Sequence, residues 1–487
     1  MNVNPITRLD YPDPDVIRVE DTYYMVSTTM HFMPGCEILQ SFDLVHWEHV
    51  TYVYETLDHT DAQQLKSGQN IYGQGMWAAS LRYHEGRFCI CFVANDTRKT
   101  YLYTSEKIDG PWKKQLIEGF YHDGSLLFDE DGRNYIVYGN DEIWITELNE
   151  DLTAPKKDGL HRLLVSDHKN PELGYEGSHI QKINGYYYIF LIHSLRDRWM
   201  RTEACFYSDS LEGEFTGGDV LCDDRGYCGQ GVAQGGIVDT PDGKWYAMLF
   251  QDSGAVGRIP ILLPVTWKDH FPFFGQNGHV PEEIEVHSTR PGYIYQPLVG
   301  SDDFCNGLLP RWQFNHDPDP RYYHLDALQG TYTITTREVC TELTQAVNTL
   351  TQRMSYPSCA AEVTVDASAL KEGDVAGLCA LQSCYAAVGI TKHHGKYEVL
   401  MLDKKEDGIL DMTDGTVVES HQMDFRLEAD FCNMKDEARC YYRVNKGDWL
   451  PIGTVHKLYF KLDHFTGCRF GLFCYAAEET GGSACFR

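Results

Sequence analysis

No stretch of this sequence holds the roughly 18 consecutive apolar residues that a bilayer-crossing helix needs, so no such helix is expected. Positive charge is scarce: 42 Lys and Arg stand against 71 Asp and Glu, a formal net charge of −29. That balance argues against nucleic acid and anionic membrane surfaces as partners, because both need a cationic footprint. The opening Met1-Asn2-Val3-Asn4-Pro5 has neither a basic nor an apolar leader segment, and no signal peptide is expected. There is no Cys-x-x-Cys pair and no metal-ligand spacing among the sixteen cysteines. Several of them (Cys89, Cys91, Cys379, Cys474) sit inside apolar runs. Reduced, buried thiols in a cytoplasmic protein are therefore expected instead of disulfides. Helical periodicity is almost absent.

What is present is strand. Short runs of Val, Ile, Tyr, Phe and Thr are broken by Gly, Asp, Asn or Pro, which predicts an all-β protein. At 487 residues the chain is long for one core, so two domains are expected. The aromatic content (31 Tyr, 22 Phe, 9 Trp) suits strands that stack on sugars, and core packing explains most of it equally well. One hairpin recurs, at Glu20-Asp21-Thr22-Tyr23-Tyr24, His84 to Phe88, Glu130 to Tyr135, Ile183 to Tyr187 and Pro241 to Tyr246. A turn followed by an aromatic, repeating through the first three hundred residues, predicts a five-bladed β-propeller over residues 1–300. Beyond Ser301 the hairpin repeat stops. Runs such as Ala360 to Val365, Ala376 to Leu381 and Phe470 to Tyr475 predict a β-sandwich over residues 301–487.

Counting back eight residues from Asp21, Glu85, Asp131, Asn184 and Asp242 reaches Asp13, Trp77, Asp123, Glu176 and Gln234. Equal offsets place these at equivalent points on equivalent strands. If those strands are the innermost of each blade, the five side chains converge near the axis. Three of them are carboxylates. Clustering acids is costly, and is tolerated mainly where they must shift one another's pKa. Two carboxyl groups across a pocket, one ionised and one protonated, are the minimal machinery for hydrolysing a glycosidic bond. The residues alone do not say which of the three is base, tuner or acid.

Four motifs in order, Tyr11-Pro12-Asp13-Pro14-Asp15, Met33-Pro34-Gly35 with Ser41 to Trp47, Asp123 to Phe128, and Glu176-Gly177-Ser178-His179, resemble glycoside hydrolase family 43. The similarity extends over nearly the whole chain, including a concanavalin-like C-terminal sandwich like that of two-domain β-xylosidases. The resemblance implies a five-bladed propeller, inversion at the anomeric carbon, Asp13 as general base and Glu176 as general acid. It implies that Asp123 raises the pKa of Glu176 and helps orient it. It assigns Arg258 to the sugar in the first subsite, and Trp77 and Phe32 to the pocket wall. Two positions depart from the family pattern. Asp15 stands where many relatives have Ser, and it is expected, like Asp10, to be structural or solvated. Gln234-Gly235 stands where many have His-Gly; Gln234 is expected as an axial hydrogen-bonding residue, and the change leaves a metal role without its usual ligand.

The expected activity is release of terminal β-D-xylose from xylooligosaccharides, with α-L-arabinofuranosidase or bifunctional activity the nearest alternative. A non-catalytic sugar-binding propeller and a phosphorolytic enzyme are the other classes weighed. No cofactor is expected, and a structural Ca2+ has no support in the sequence. The expected partner is a xylooligosaccharide or arabinose-substituted oligosaccharide, with no nucleic acid and no membrane; a homo-oligomer is left open.

Overall fold

The computed structural model describes residues 2–487. The first part is a five-bladed propeller of four-stranded antiparallel sheets. The innermost strands of blades 1 to 5 are Asp15–Val19, Met76–His84, Ser125–Phe128, Glu176–Ile183 and Ala233–Asp239. They stand side by side around the ring, the fifth returning to the first. Each is joined to its neighbour by one of the five recurring turns. In blade 4 both Asn184 and Gly185 adopt positive φ (50° and 85°), which the tight hairpin needs and which Asx-Gly supplies at low cost.

The ring is closed by the N-terminal segment. Asn2–Val3 pairs with Glu283–Ile284. The buried Asn4 amide donates to the carbonyls of Leu262 and Pro281, and its oxygen accepts from the Leu262 N–H. Along the axis, Asp15 is fully buried. It accepts 2.7 Å bonds from Arg82 and from the Leu81 N–H, and His179 Nδ1 lies 3.1 Å away. Arg82 continues to Leu126 O, Ser125 Oγ and Ile180 O, so one buried pair ties blades 1 to 4 together. Burial alone would raise the pKa of Asp15; Arg82 and His179 outweigh it and hold the carboxyl below its usual range.

The second part is a sandwich of two antiparallel sheets. The segments read as strands are found at Ser358–Asp366, Asp374–Leu381 and Arg469–Ala476. Between the sheets lies one continuous core that includes Leu378, Val388, Phe425, Leu427, Leu472 and Phe486. Each fully buried large apolar side chain of this kind contributes about 1.5–3 kcal/mol before conformational entropy is counted.

The two parts share backbone as well as side chains. Phe32–Met33, from blade 1, forms the edge of a sandwich sheet by pairing with Gln313–Asn315. The buried Asp10 accepts from the N–H groups of Arg258 in the propeller and Gly467 in the sandwich, both at 2.8 Å. Arg353 of the sandwich pairs with Glu37 at 2.8 Å, with both side chains buried. Beside these pairs, His31 and Tyr72 of the propeller pack against His316 and His464 of the sandwich, Tyr72 stacking on His464 at 3.9 Å. All sixteen cysteines are free. Nine are buried, whereas Cys222, Cys228, Cys305 and Cys432 are exposed, so the expectation of buried thiols holds for only part of the set.

Candidate active site

The five offset positions all fall at the upper ends of the innermost strands. Asp13 and Asp123 precede theirs by two residues, Glu176 opens its strand, and Trp77 and Gln234 are second in theirs. The backbone is irregular here. Asp13, Asp123 and Gln234 have positive φ (53°, 47° and 58°), and the pairing register breaks after Met76, Glu176 and Ala233. Bulges and left-handed residues at such ends re-aim side chains away from the sheet plane and toward the axis.

Asp13 is 6% exposed. It accepts 3.0 and 3.3 Å bonds from Arg258 Nη1 and a 2.6 Å bond from Thr28 Oγ1, which fixes its plane. Asp123 accepts the Gly177 N–H at 3.0 Å, so blade 3 reaches the residue beside Glu176 in blade 4. Glu176, with 22% of its side chain exposed, is the most open of the three acids, and Asn140 Nδ2 donates to it at 2.7 Å. His122 Nε2 sits 3.5 Å from both Asp123 Oδ2 and Glu176 Oε2.

Charge is shared across this group. Burial, then the negative charges of Glu176 and Asp13, raise Asp123 to about 6, although His122 opposes them. Burial disfavours the charged imidazole of His122, but Asp123, Glu176 and Asp13 outweigh it and push it up to about 9. Asp13 therefore acts electrostatically on groups of blade 3, and the acids share one field. His122, Asp123 and Glu176 bring ligand-capable atoms within 4.8 Å of one another, a spacing a cation could use.

Around the acids stand aromatics from both parts of the protein. The half-buried Trp77 has ring centroids 5.7 Å from His122 and 5.7 Å from Phe465, which comes from the sandwich. Phe465 also covers the Arg258 guanidinium at 4.2 Å, and its carbonyl accepts from Arg258 Nη2 at 3.3 Å. Gln234 donates its backbone N–H to the buried Glu203 at 2.7 Å, and its side chain lies against Gly177 so closely that a Cβ there would meet it at 2.7 Å. Burial raises the pKa of the Glu203 carboxyl well above the usual range, and the Gln234 N–H opposes that rise.

Phe32 is placed differently. Its ring is 2% exposed, lies beneath Arg469 at 3.4 Å and packs with Leu343, Tyr385 and Tyr475 of the sandwich. Among the described residues, no aromatic or hydrogen-bond contact joins it to the three acids. Sequence reasoning missed His122, Thr28, Asn140 and Phe465. His122 could have been found beside Asp123, but Phe465 carries no local signal.

Comparison with known proteins identifies the family. The family model for glycosyl hydrolases family 43 matches residues 3–272, and that for the β-xylosidase C-terminal concanavalin A-like domain matches residues 301–487. A β-xylosidase from Formosa agariphila is 26% identical over 99% of this chain and 88% of its own. A non-reducing end α-L-arabinofuranosidase from Bacteroides ovatus is 24% identical over 84% of this chain and 79% of its own. Among solved structures, a bifunctional GH43-CE protein from Bacteroides eggerthii superposes with a TM-score of 0.93 at 41% identity. It covers 100% of this chain, which in turn spans 63% of that protein. Three acids converging from separate blades and two family models in series lead to one assignment: this chain belongs to glycosyl hydrolases family 43 and is a glycoside hydrolase.

Proposed function

We propose that the protein is an exo-acting, inverting hydrolase that releases terminal β-D-xylose from xylooligosaccharides. The observation that carries this reading is Phe465, which bridges Trp77 and Arg258 beside the three acids and in this reading forms a closed end of the site. A closed end suits the last sugar of a chain; an open groove would suit an internal one.

In this reading Asp13, oriented by Arg258 and Thr28, accepts a proton from the water that attacks the anomeric carbon. Glu176, the most exposed acid, donates its proton to the departing glycosidic oxygen on the open side. Asp123 and His122 hold the proton balance around Glu176, and Asn140 fixes its orientation. A cytoplasmic setting, where sixteen free thiols remain reduced, is proposed with it.

An NMR time course of xylobiose hydrolysis tests the proposal. Initial release of α-xylose from the non-reducing end is the expected result; initial β-xylose or cleavage only within longer chains would overturn it. Arabinofuranosidase activity is the second reading, favoured by the Bacteroides ovatus relative. Comparing hydrolysis of 4-nitrophenyl β-D-xylopyranoside and 4-nitrophenyl α-L-arabinofuranoside separates the two.

A further inference from the structure

The sandwich covers only part of the propeller's upper face. Its hydrogen bonds to the propeller come from the N-terminal segment and blade 1, from residues 59–73, and from the blade 5 loop Gly254–Val256 with Arg258. Among the described residues, no hydrogen bond crosses to the sandwich from residues 118–221, which build blades 3 and 4. The open rim is therefore the rim beside Glu176, the side toward which a leaving group would depart.

One large aromatic is exposed on that rim. Trp199, 45% exposed, lies in the loop joining Tyr186–Ser194 to Arg201–Ser208 in blade 4. The loop stands directly above the row of Glu176. Glu176 pairs with Ile192 and Ile192 with Glu203, and Arg201 is two residues further up, roughly 7 Å along the strand.

Trp199 is also coupled to the acids by an unbroken stack. Its ring is 5.4 Å from the Arg201 guanidinium, which lies 5.3 Å from the Phe250 ring. The other neighbour of Phe250 is Arg258, at 5.4 Å, and Arg258 binds Asp13 at 3.0 Å. Arg201 is itself clamped by Asp252. Arg201 Nε and Asp252 Oδ1 are buried without hydrogen-bond partners. The Trp199 ring thus lies against a paired cation, and 45% of the residue is exposed to solvent.

We propose that Trp199 is the stacking platform for the leaving-group sugar, a pyranose of the oligosaccharide, seated on the blade 4 rim next to Glu176. This rests on the reading of the protein as a xylosidase acting on chain ends. An indole face presents a flat, rigid apolar surface to the axial C–H groups of a pyranose at little entropic cost. The platform makes the enzyme select glycosyl leaving groups over small ones.

The test compares xylobiose with β-D-xylosyl fluoride, whose leaving group reaches no platform, for wild type, Trp199→Ala and Trp199→Phe. Trp199→Ala is expected to lower kcat/KM on xylobiose about tenfold, the scale of one aromatic stack. The same variant should leave the fluoride reaction unchanged, and Trp199→Phe should recover most of the loss. An equal fall on both substrates, or no fall on xylobiose, overturns the platform and leaves the xylosidase reading standing. A wild-type protein that cleaves neither substrate overturns both.

Discussion

Removing the Phe465 ring tests whether the sandwich is part of the active site. The ring lies 4.2 Å from the guanidinium of Arg258, which is 2% exposed, and 5.7 Å from Trp77. A desolvated cation–π contact contributes about 1–2 kcal/mol and an aromatic pair about 0.5–1.5 kcal/mol. Phe465→Ala therefore loses about 2–3 kcal/mol of organisation around the sugar site, or about 30- to 140-fold in kcat/KM. Phe465→Leu keeps most of the volume but not the π face, and should fall about tenfold. The assay is steady-state hydrolysis of xylobiose, with circular dichroism melts to confirm folding. Full activity in a folded Phe465→Ala protein would refute the idea that this loop forms the closed end. Near-wild-type activity in Phe465→Leu would assign the effect to packing instead of the ring's face.

Asp13→Ala and Glu176→Ala should each lower kcat by about 10²–10⁴-fold, the usual range for one acid–base group. Their far-ultraviolet spectra should be unchanged, and normal turnover in either variant rejects its assigned role. The interface imidazoles predict acid sensitivity. Burial, partly offset by Asp463, pushes His464 down to about 3, below its unfolded value of about 6.5. A depressed histidine stabilises the fold above pH 6.5, and that contribution is lost as pH falls from 6.5 toward 3. At pH 5 the loss is about 2 kcal/mol for this residue. Tm should therefore drop between pH 6.5 and 5, and less steeply in His464→Phe, which keeps the stack on Tyr72; identical pH profiles would refute this.

Much of the propeller was legible because its units repeat. Five recurring turns, four of them Asx-type, located the innermost strands, and equal offsets from them found Asp13, Asp123 and Glu176. Local patterning of this kind reports what the chain does over ten residues. It did not report Phe32, because that position is decided by a sandwich strand nearly three hundred residues away that captures Phe32–Met33 as its edge. Nor could it find Phe465, whose role depends on how two domains dock. His122 escaped for another reason: a histidine beside an acid is ordinary until the second acid, Glu176, is placed 3.5 Å from the same nitrogen. Asp15 reads only as structural or solvated, because sequence shows its charge but not Arg82, drawn in from the next blade to make it structural.

The pairing of Arg258 with both Asp13 and Phe465 joins points separated by most of the polypeptide. During synthesis the propeller's residues leave the ribosome well before the loop that carries Phe465. Domains generally begin to fold as they emerge. A nascent chain can thus assemble all three acids while the loop that carries Phe465 is still untranslated.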